Sequence, residues 1–240
     1  MPKEDIKGVV VIVHGLNLNP EKMHTLGSIF IEKKVTPVYI RLKGHAEKST
    51  WKGVSKQRWI TDYYKGLCQA YLMSKKRNVP LYGMGYSLGS LVIQNSIETL
   101  KAPFEKTFHI SPAYRTRWYS AFITGLFKMG FEFDIPSSNF TEYRAQTSTS
   151  LLAYKAMWEI NETLKFKDEI PQFIFMDYRD ELVDFTDTKH LCGIKKNCTF
   201  NRLKNTPFDS PKKIYHLSID PKTTGSESWQ FIRKSISKEL

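Results

Sequence analysis

The sequence predicts an α/β protein in which a mainly parallel, twisted sheet carries helices on both faces. Three observations lead there. Short apolar runs alternate with longer amphipathic ones along most of the 240 residues, as in repeated strand–helix–strand units. The first run, Gly8 to His14, is continuous and β-branched, the mark of a strand buried on both faces. A third signal is Gly85-Tyr86-Ser87-Leu88-Gly89, which stands where an apolar run gives way to a helical one.

After the Gly8 strand, further strands are expected at Val35 to Leu42, Val79 to Met84, Thr107 to Ile110, Pro171 to Met176 and Lys213 to Ile219. Helices are expected between them at about 21–34, 56–76, 88–100 and 149–165, with a last one at 226–238. Right-handed crossovers gather the loops at the carboxyl ends of the strands along one edge of the sheet. The alternation breaks at about 114–148, an insertion within a single 1–240 domain. There Tyr119, Phe122, Ile123, Leu126 and Phe127 share one helical face. Such a stripe reads either as ordinary core or as a lid closing over a site, in which case Trp118, Phe122, Leu126 and Phe127 would touch the substrate.

A hydrophobic share of 41% and a charged share of 25% exclude a disordered or fibrous chain. No run of about 18 apolar residues is present, so no membrane-spanning helix is expected. Met1-Pro2-Lys3-Glu4-Asp5 runs straight into strand-like sequence without a leader pattern, which points to a cytoplasmic protein. The net charge of +12 comes from short basic pieces such as Lys75-Lys76-Arg77 and Lys195-Lys196, without aromatic interleaving. That pattern speaks against a nucleic-acid partner and allows at most weak attraction to anionic membrane surfaces. Cys68, Cys192 and Cys198 are odd in number and lack zinc-type spacing, so free thiols are expected, with a Cys192–Cys198 loop disulfide as the alternative in an exported protein. No cofactor or metal is implied.

A G-x-S-x-G between a strand and a helix is the nucleophile elbow of serine hydrolases: a turn so tight that glycines must flank the serine, whose hydroxyl is pushed clear of the backbone. A serine hydroxyl needs a histidine base, and the base needs a carboxylate to orient it. The acid is sought after the strand ending at Met176, where Asp177, Asp180, Glu181 and Asp184 compete. The base is sought among six histidines, of which His216 stands near the last predicted strand. The backbone N–H of Leu88, the residue after the serine, is one donor for the oxyanion.

Taken with these segments, Val13-His14-Gly15-Leu16, Arg41-Leu42-Lys43-Gly44-His45, the Gly85–Gly89 elbow, Asp180-Glu181-Leu182-Val183 and His216 resemble, in order, the motifs of the α/β-hydrolases. Within them the small carboxylesterases and monoacylglycerol-lipase-like enzymes are most similar. The resemblance implies Ser87 as nucleophile, Asp180 as acid, His216 as base and the N–H of Leu16 as second oxyanion donor. It also implies a small-molecule ester substrate, and the apolar stripe, read as a lid over an acyl chain, points to short- to medium-chain acyl groups, monoacylglycerols among them. A thioesterase with the same residues, or a non-catalytic binding protein on this fold, is the alternative. The sequence departs from the pattern at Asp177 and Tyr215, where glycine is common, and at Ser90 and Ala46.

Overall fold

The structure, a computed structural model, describes residues 5–46, 49–117, 125–126, 131, 133–207 and 213–240. Eight strands are found among them: β1 (Gly8–Val13), β2 (Val35–Ile40), β3 (Leu81–Tyr86), β4 (Lys106–Ile110), β5 (Asp134–Pro136), β6 (Ser148–Ser150), β7 (Gln172–Asp177) and β8 (Cys198–Leu203). Six form one sheet in the order β2-β1-β3-β4-β7-β8, and every pair in it is parallel. The chain steps from β1 outward to β2 and then returns to the other side of β1 as β3. The loops leaving β1 and β3 are therefore neighbours at a switch point, where a crevice opens beyond the strand ends.

The alternation along β1 divides the core. Val9, Val11 and Val13 pack with Trp59, Tyr63, Leu91 and Ile160. These come from helices α2 (Lys56–Arg77), α3 (Leu88–Leu100) and α4 (Leu151–Asn161), with α5 (Phe185–Gly193) joining the same layer. Val10 and Ile12 pack with Leu26, Phe30, Ile232 and Ile236, from α1 (His24–Ile31) and α7 (Ser226–Glu239), the latter preceded by the single turn α6 (Pro221–Thr224). Side chains one residue apart on a strand face opposite sides, which is why a wholly apolar run suits a sheet sandwiched between helices.

Two expectations are corrected. The segment Lys213 to Ile219 is not a strand; the last strand is β8, paired with β7 from Gln172↔Cys198 onward. The apolar residues of the 213–219 segment belong to a loop that buries Leu217 and Ile219 in the core. Its backbone amides at Tyr215 and His216 donate to the Glu181 carboxylate rather than to a neighbouring strand. β8 escaped notice because it is an edge strand, half-exposed and polar, with little apolar pattern to read. The second correction concerns the thiols. Cys192 and Cys198 form a disulfide, and Cys68 alone is a free, exposed cysteine among the described residues. The short connection from α5 into β8 brings the two Cα atoms to 5.3 Å, within the normal range for a bridge. Neither α5 nor β8 was visible in the sequence, so that proximity was not either.

Between β4 and β7 the chain leaves the sheet and forms a small antiparallel ladder of β5 and β6. Its far end is stitched to the loop after β1. Asn19 donates its N–H to Tyr143 O (2.7 Å), Ala145 N–H to Asn17 O (3.1 Å) and Gln146 N–H to Asn17 Oδ1 (2.7 Å).

Candidate functional site

Ser87 sits between the end of β3 and the first residue of α3, with φ 50° and ψ −112°. This left-handed conformation is costly for a serine and persists only where surroundings enforce it. The flanking glycines are required by close approach. A Cβ on Gly85 would lie 2.6 Å from the amide nitrogen of Ser90, and one on Gly89 would run into the carbonyl of Val13. The elbow is thus crowded by its own helix on one side and by β1 on the other.

Three of the expected residues form one hydrogen-bonded chain. The Ser87 hydroxyl lies 3.0 Å from His216 Nε2, and His216 Nδ1 lies 2.9 and 3.1 Å from the two Asp180 oxygens. All three side chains are buried. Asp180 follows β7 in a tight turn, where its Oδ1 accepts the N–H groups of Leu182 and Val183 (both 2.9 Å). Its carbonyl oxygen is gripped by the Arg117 guanidinium at 2.6 and 2.8 Å. Burial disfavours the imidazolium form of His216, but the Asp180 charge and hydrogen bond, helped by Glu181, outweigh it and hold the pKa above the usual value.

The rival acids are engaged elsewhere. Asp177 is ion-paired to Arg179 at 2.9 Å. Asp184 caps α5 through the Asp187 N–H. Glu181 Oε2 accepts the N–H groups of Tyr215 (3.0 Å) and His216 (3.2 Å), so it holds the backbone of the histidine while Asp180 holds its ring. Burial pushes the Glu181 carboxyl above its ordinary pKa.

The other histidines have structural partners or sit at the surface. His14 Nε2 accepts the Leu42 N–H (3.1 Å), leaving Nδ1 to donate to Gly15 O (2.9 Å). His45 Nε2 accepts the Asn17 N–H (3.0 Å), leaving Nδ1 to donate to Leu42 O (3.2 Å). This pair ties the turn after β2 to the loop after β1 that carries Leu16. His109 lies between Thr107 Oγ1 (2.9 Å) and the Tyr114 hydroxyl (3.2 Å). His24 is exposed beside Glu21, and His190 is exposed on α5 next to a cysteine already committed to the disulfide.

Burial lowers the pKa of His14 to about 4 and of His109 to about 3, and drives His45 well down. Below pH ~6.5 these histidines take up protons in the unfolded chain while the folded chain still refuses them. Stability should therefore fall as the pH drops from about 6.5 towards 4, by ~1.4 kcal/mol per pH unit for each histidine. His216, raised rather than lowered, contributes stability that is complete below about pH 6.5 and is lost only as the pH rises through its folded pKa, so it does not offset this fall. A urea midpoint unchanged between pH 7 and pH 5 would contradict the buried neutral state.

Leu88 N–H opens α3, where the first amides lack helical partners and the helix dipole favours negative charge. Leu16 lies in the turn after β1, the strand adjacent to β3, and its N–H makes no backbone hydrogen bond among the described residues. Both amides belong to the switch-point loops that border Ser87.

A cavity of about 260 Å³ opens on Ser87 and His216. Its apolar wall includes Leu16, Met157, Trp158, Leu182, Val183 and Ile214, and its polar wall Ser137, Ser138, Asn139 and Glu181. The insertion contributes Ile135 to Asn139. Of the four insertion residues expected to meet substrate, Trp118, Phe122 and Phe127 lie outside the described residues. Leu126 is partly buried and does not line the cavity. Sequence reasoning missed Tyr154 and Trp158, which reach the cavity from adjacent turns of α4, and took that helix as ordinary cover. The i, i+4 aromatic spacing was the available signal. It also missed Asn17, whose left-handed φ of 50° is one that asparagine tolerates unusually well.

No family model matches the chain, and no curated protein matches its sequence. Solved structures do. A structure from work on LipS and LipT, two metagenome-derived lipolytic enzymes, superposes with a TM-score of 0.79 at 17% identity, covering 98% of this chain and 95% of that one. A soluble variant of monoglyceride lipase from Saccharomyces cerevisiae, in complex with a substrate analogue, gives 0.78 at 11% identity over 99% and 87%. Est1E from Butyrivibrio proteoclasticus with bound ferulic acid gives 0.64 at 17% identity over 100% and 91%. With its parallel sheet, its switch-point elbow and these neighbours, the chain has the α/β-hydrolase fold.

Proposed function

We propose that this protein is a serine hydrolase that cleaves carboxylic esters of short- to medium-chain acyl groups, monoacylglycerols among them, through an acyl-enzyme on Ser87. The observation that carries the reading is the hydrogen-bonded chain Ser87–His216–Asp180 opening on a largely apolar cavity. In the proposed reaction Ser87 Oγ attacks the ester carbonyl as its proton passes to His216 Nε2. Asp180 keeps the proton of the imidazole on Nδ1 and stabilises the imidazolium that forms. The oxyanion is received by the N–H groups of Leu16 and Leu88. Collapse expels the alcohol, which takes the proton from His216, and water repeats the sequence to release the acid and restore Ser87.

The cavity supports a small acyl group. Its volume lies just below the ~300 to 1,000 Å³ range of drug-sized ligand pockets, and each methylene buried in it contributes about 0.8 kcal/mol. In this reading the insertion acts as a lid whose Ile135–Asn139 segment closes one side. Across nitrophenyl esters from about two to sixteen carbons, kcat/KM should rise roughly fourfold per methylene until the cavity is full, then fall. A steady decline from acetate onward would defeat the apolar acyl pocket. The lipolytic neighbours support the ester reading. The Cys192–Cys198 disulfide favours an oxidising compartment over the cytoplasm.

The base works only when neutral, and its pKa is raised. Hence kcat/KM should climb with pH through a midpoint above that of an ordinary histidine, about 6.5, and reach a plateau in mild alkali. A profile flat down to about pH 4 would argue against His216 as the base.

A further inference from the structure

His216 lies on a turn without sheet partners among the described residues, so something other than strand pairing must keep its ring within reach of Ser87. Besides Asp180 on its ring and Glu181 on its backbone, three side chains do this indirectly. Asn205 follows β8, and its Nδ2 donates to Ser218 Oγ (2.6 Å) and Tyr215 O (3.4 Å), on either side of His216. Ser218 Oγ in turn donates to Tyr215 O (3.1 Å). Asn205 is itself fixed by its own backbone: its N–H donates to Asp177 Oδ2 (2.6 Å), and its carbonyl accepts from Arg179 Nη2 (2.7 Å).

Arg179 closes the circuit. Its Nε and Nη2 fork the fully buried Asp177 carboxylate at 2.9 Å each. Its guanidinium lies over the Tyr215 ring, 4.0 Å from the centroid. Asp177 and Tyr215 are the two positions flanking the acid and the base where the sequence departs from the glycines usual in the pattern it resembles, and one guanidinium joins them. A planar fork that also stacks is a task lysine cannot perform. The ends of β7 and β8 are thereby fastened to the turn that carries the imidazole.

We propose that Asp177, Arg179 and Asn205 form a clamp that positions His216 by gripping the Tyr215–Ser218 turn, with Arg179 as its key positioning residue. The proposal rests on the reading of His216 as base and Ser87 as nucleophile, and its test separates the two. Arg179→Ala, Arg179→Lys and Tyr215→Leu would be compared with the wild type in amide hydrogen exchange at Tyr215 and His216, and in the rate of Ser87 labelling by a fluorophosphonate. Arg179→Ala should speed exchange at those two amides and slow labelling, each about tenfold or more, while exchange in α1 and α7 is unchanged. Arg179→Lys should fall between, because it restores the charge without the fork. Tyr215→Leu leaves the ion pair intact and should slow labelling severalfold, and it decides the matter if Arg179→Ala does not fold. Unchanged exchange in both Arg179→Ala and Tyr215→Leu overturns the clamp. Faster exchange with wild-type labelling makes the network structural only and overturns its positioning role. A wild-type protein that is not labelled at all overturns the hydrolase reading instead, and exchange still reports whether the clamp holds the turn.

Discussion

Ser87→Ala and His216→Ala are each expected to lower kcat on a short acyl ester by on the order of 10⁶, with the fold intact. Among the described residues the Ser87 hydroxyl has a single side-chain partner, the imidazole at 3.0 Å. Its removal therefore forfeits one hydrogen bond, about 1 kcal/mol, and should move the thermal midpoint by no more than about 4 °C. The double variant should be no slower than either single one, because nucleophile and base act as a unit. Residual turnover should persist from the Leu16 and Leu88 amides, which neither substitution touches. Turnover and thermal melts on the three variants check this. A Ser87→Ala protein that keeps a tenth of wild-type turnover would end the acyl-enzyme reading.

Asp180→Asn should cost about 10⁴ in kcat. The amide oxygen of an asparagine can still accept the N–H groups of Leu182 and Val183, so the turn after β7 should survive. Its NH₂ group, however, would face His216 Nδ1 and force that nitrogen to accept. The proton would then move to Nε2, the atom that must take the proton of Ser87. Glu181→Gln provides the contrast, since its amide oxygen can still receive the backbone N–H groups of Tyr215 and His216. A loss of no more than about tenfold is expected there. Kinetic constants for the two variants at one pH distinguish them. If Glu181→Gln proved the more damaging, the acid would have been assigned to the wrong neighbour.

How much of the site was legible in the sequence follows from how local each signal is. Ser87 was legible because the motif that marks it is local, although only Gly85 is demanded by atoms a few residues away and Gly89 is demanded by β1, which the β-branched run Val9 to Val13 announced. Asp180 was legible as one of four carboxylates after an apolar strand, and family resemblance rather than spacing singled it out. The geometry that sets it apart, with Asp177 accepting the Asn205 N–H and Glu181 the His216 N–H, depends on residues 28 and 35 positions away.

The sequence by itself determined the alternation of elements, the sandwiched β1 and the elbow that carries Ser87, because these rest on periodicity and on a motif confined to five residues. Only the tertiary structure decided the rest. It decided that the histidine sits on a turn and that Lys213 to Ile219 is no strand, since apolar residues are buried as readily by a packed loop as by a sheet. It decided that β8 exists, since an edge strand exposed on one side needs little apolar pattern. It joined Cys192 to Cys198 and brought Asn17, Tyr154 and Trp158 to the cavity. Each of these is a meeting of segments whose own residues carry no mark of the partner, and such meetings are fixed by packing.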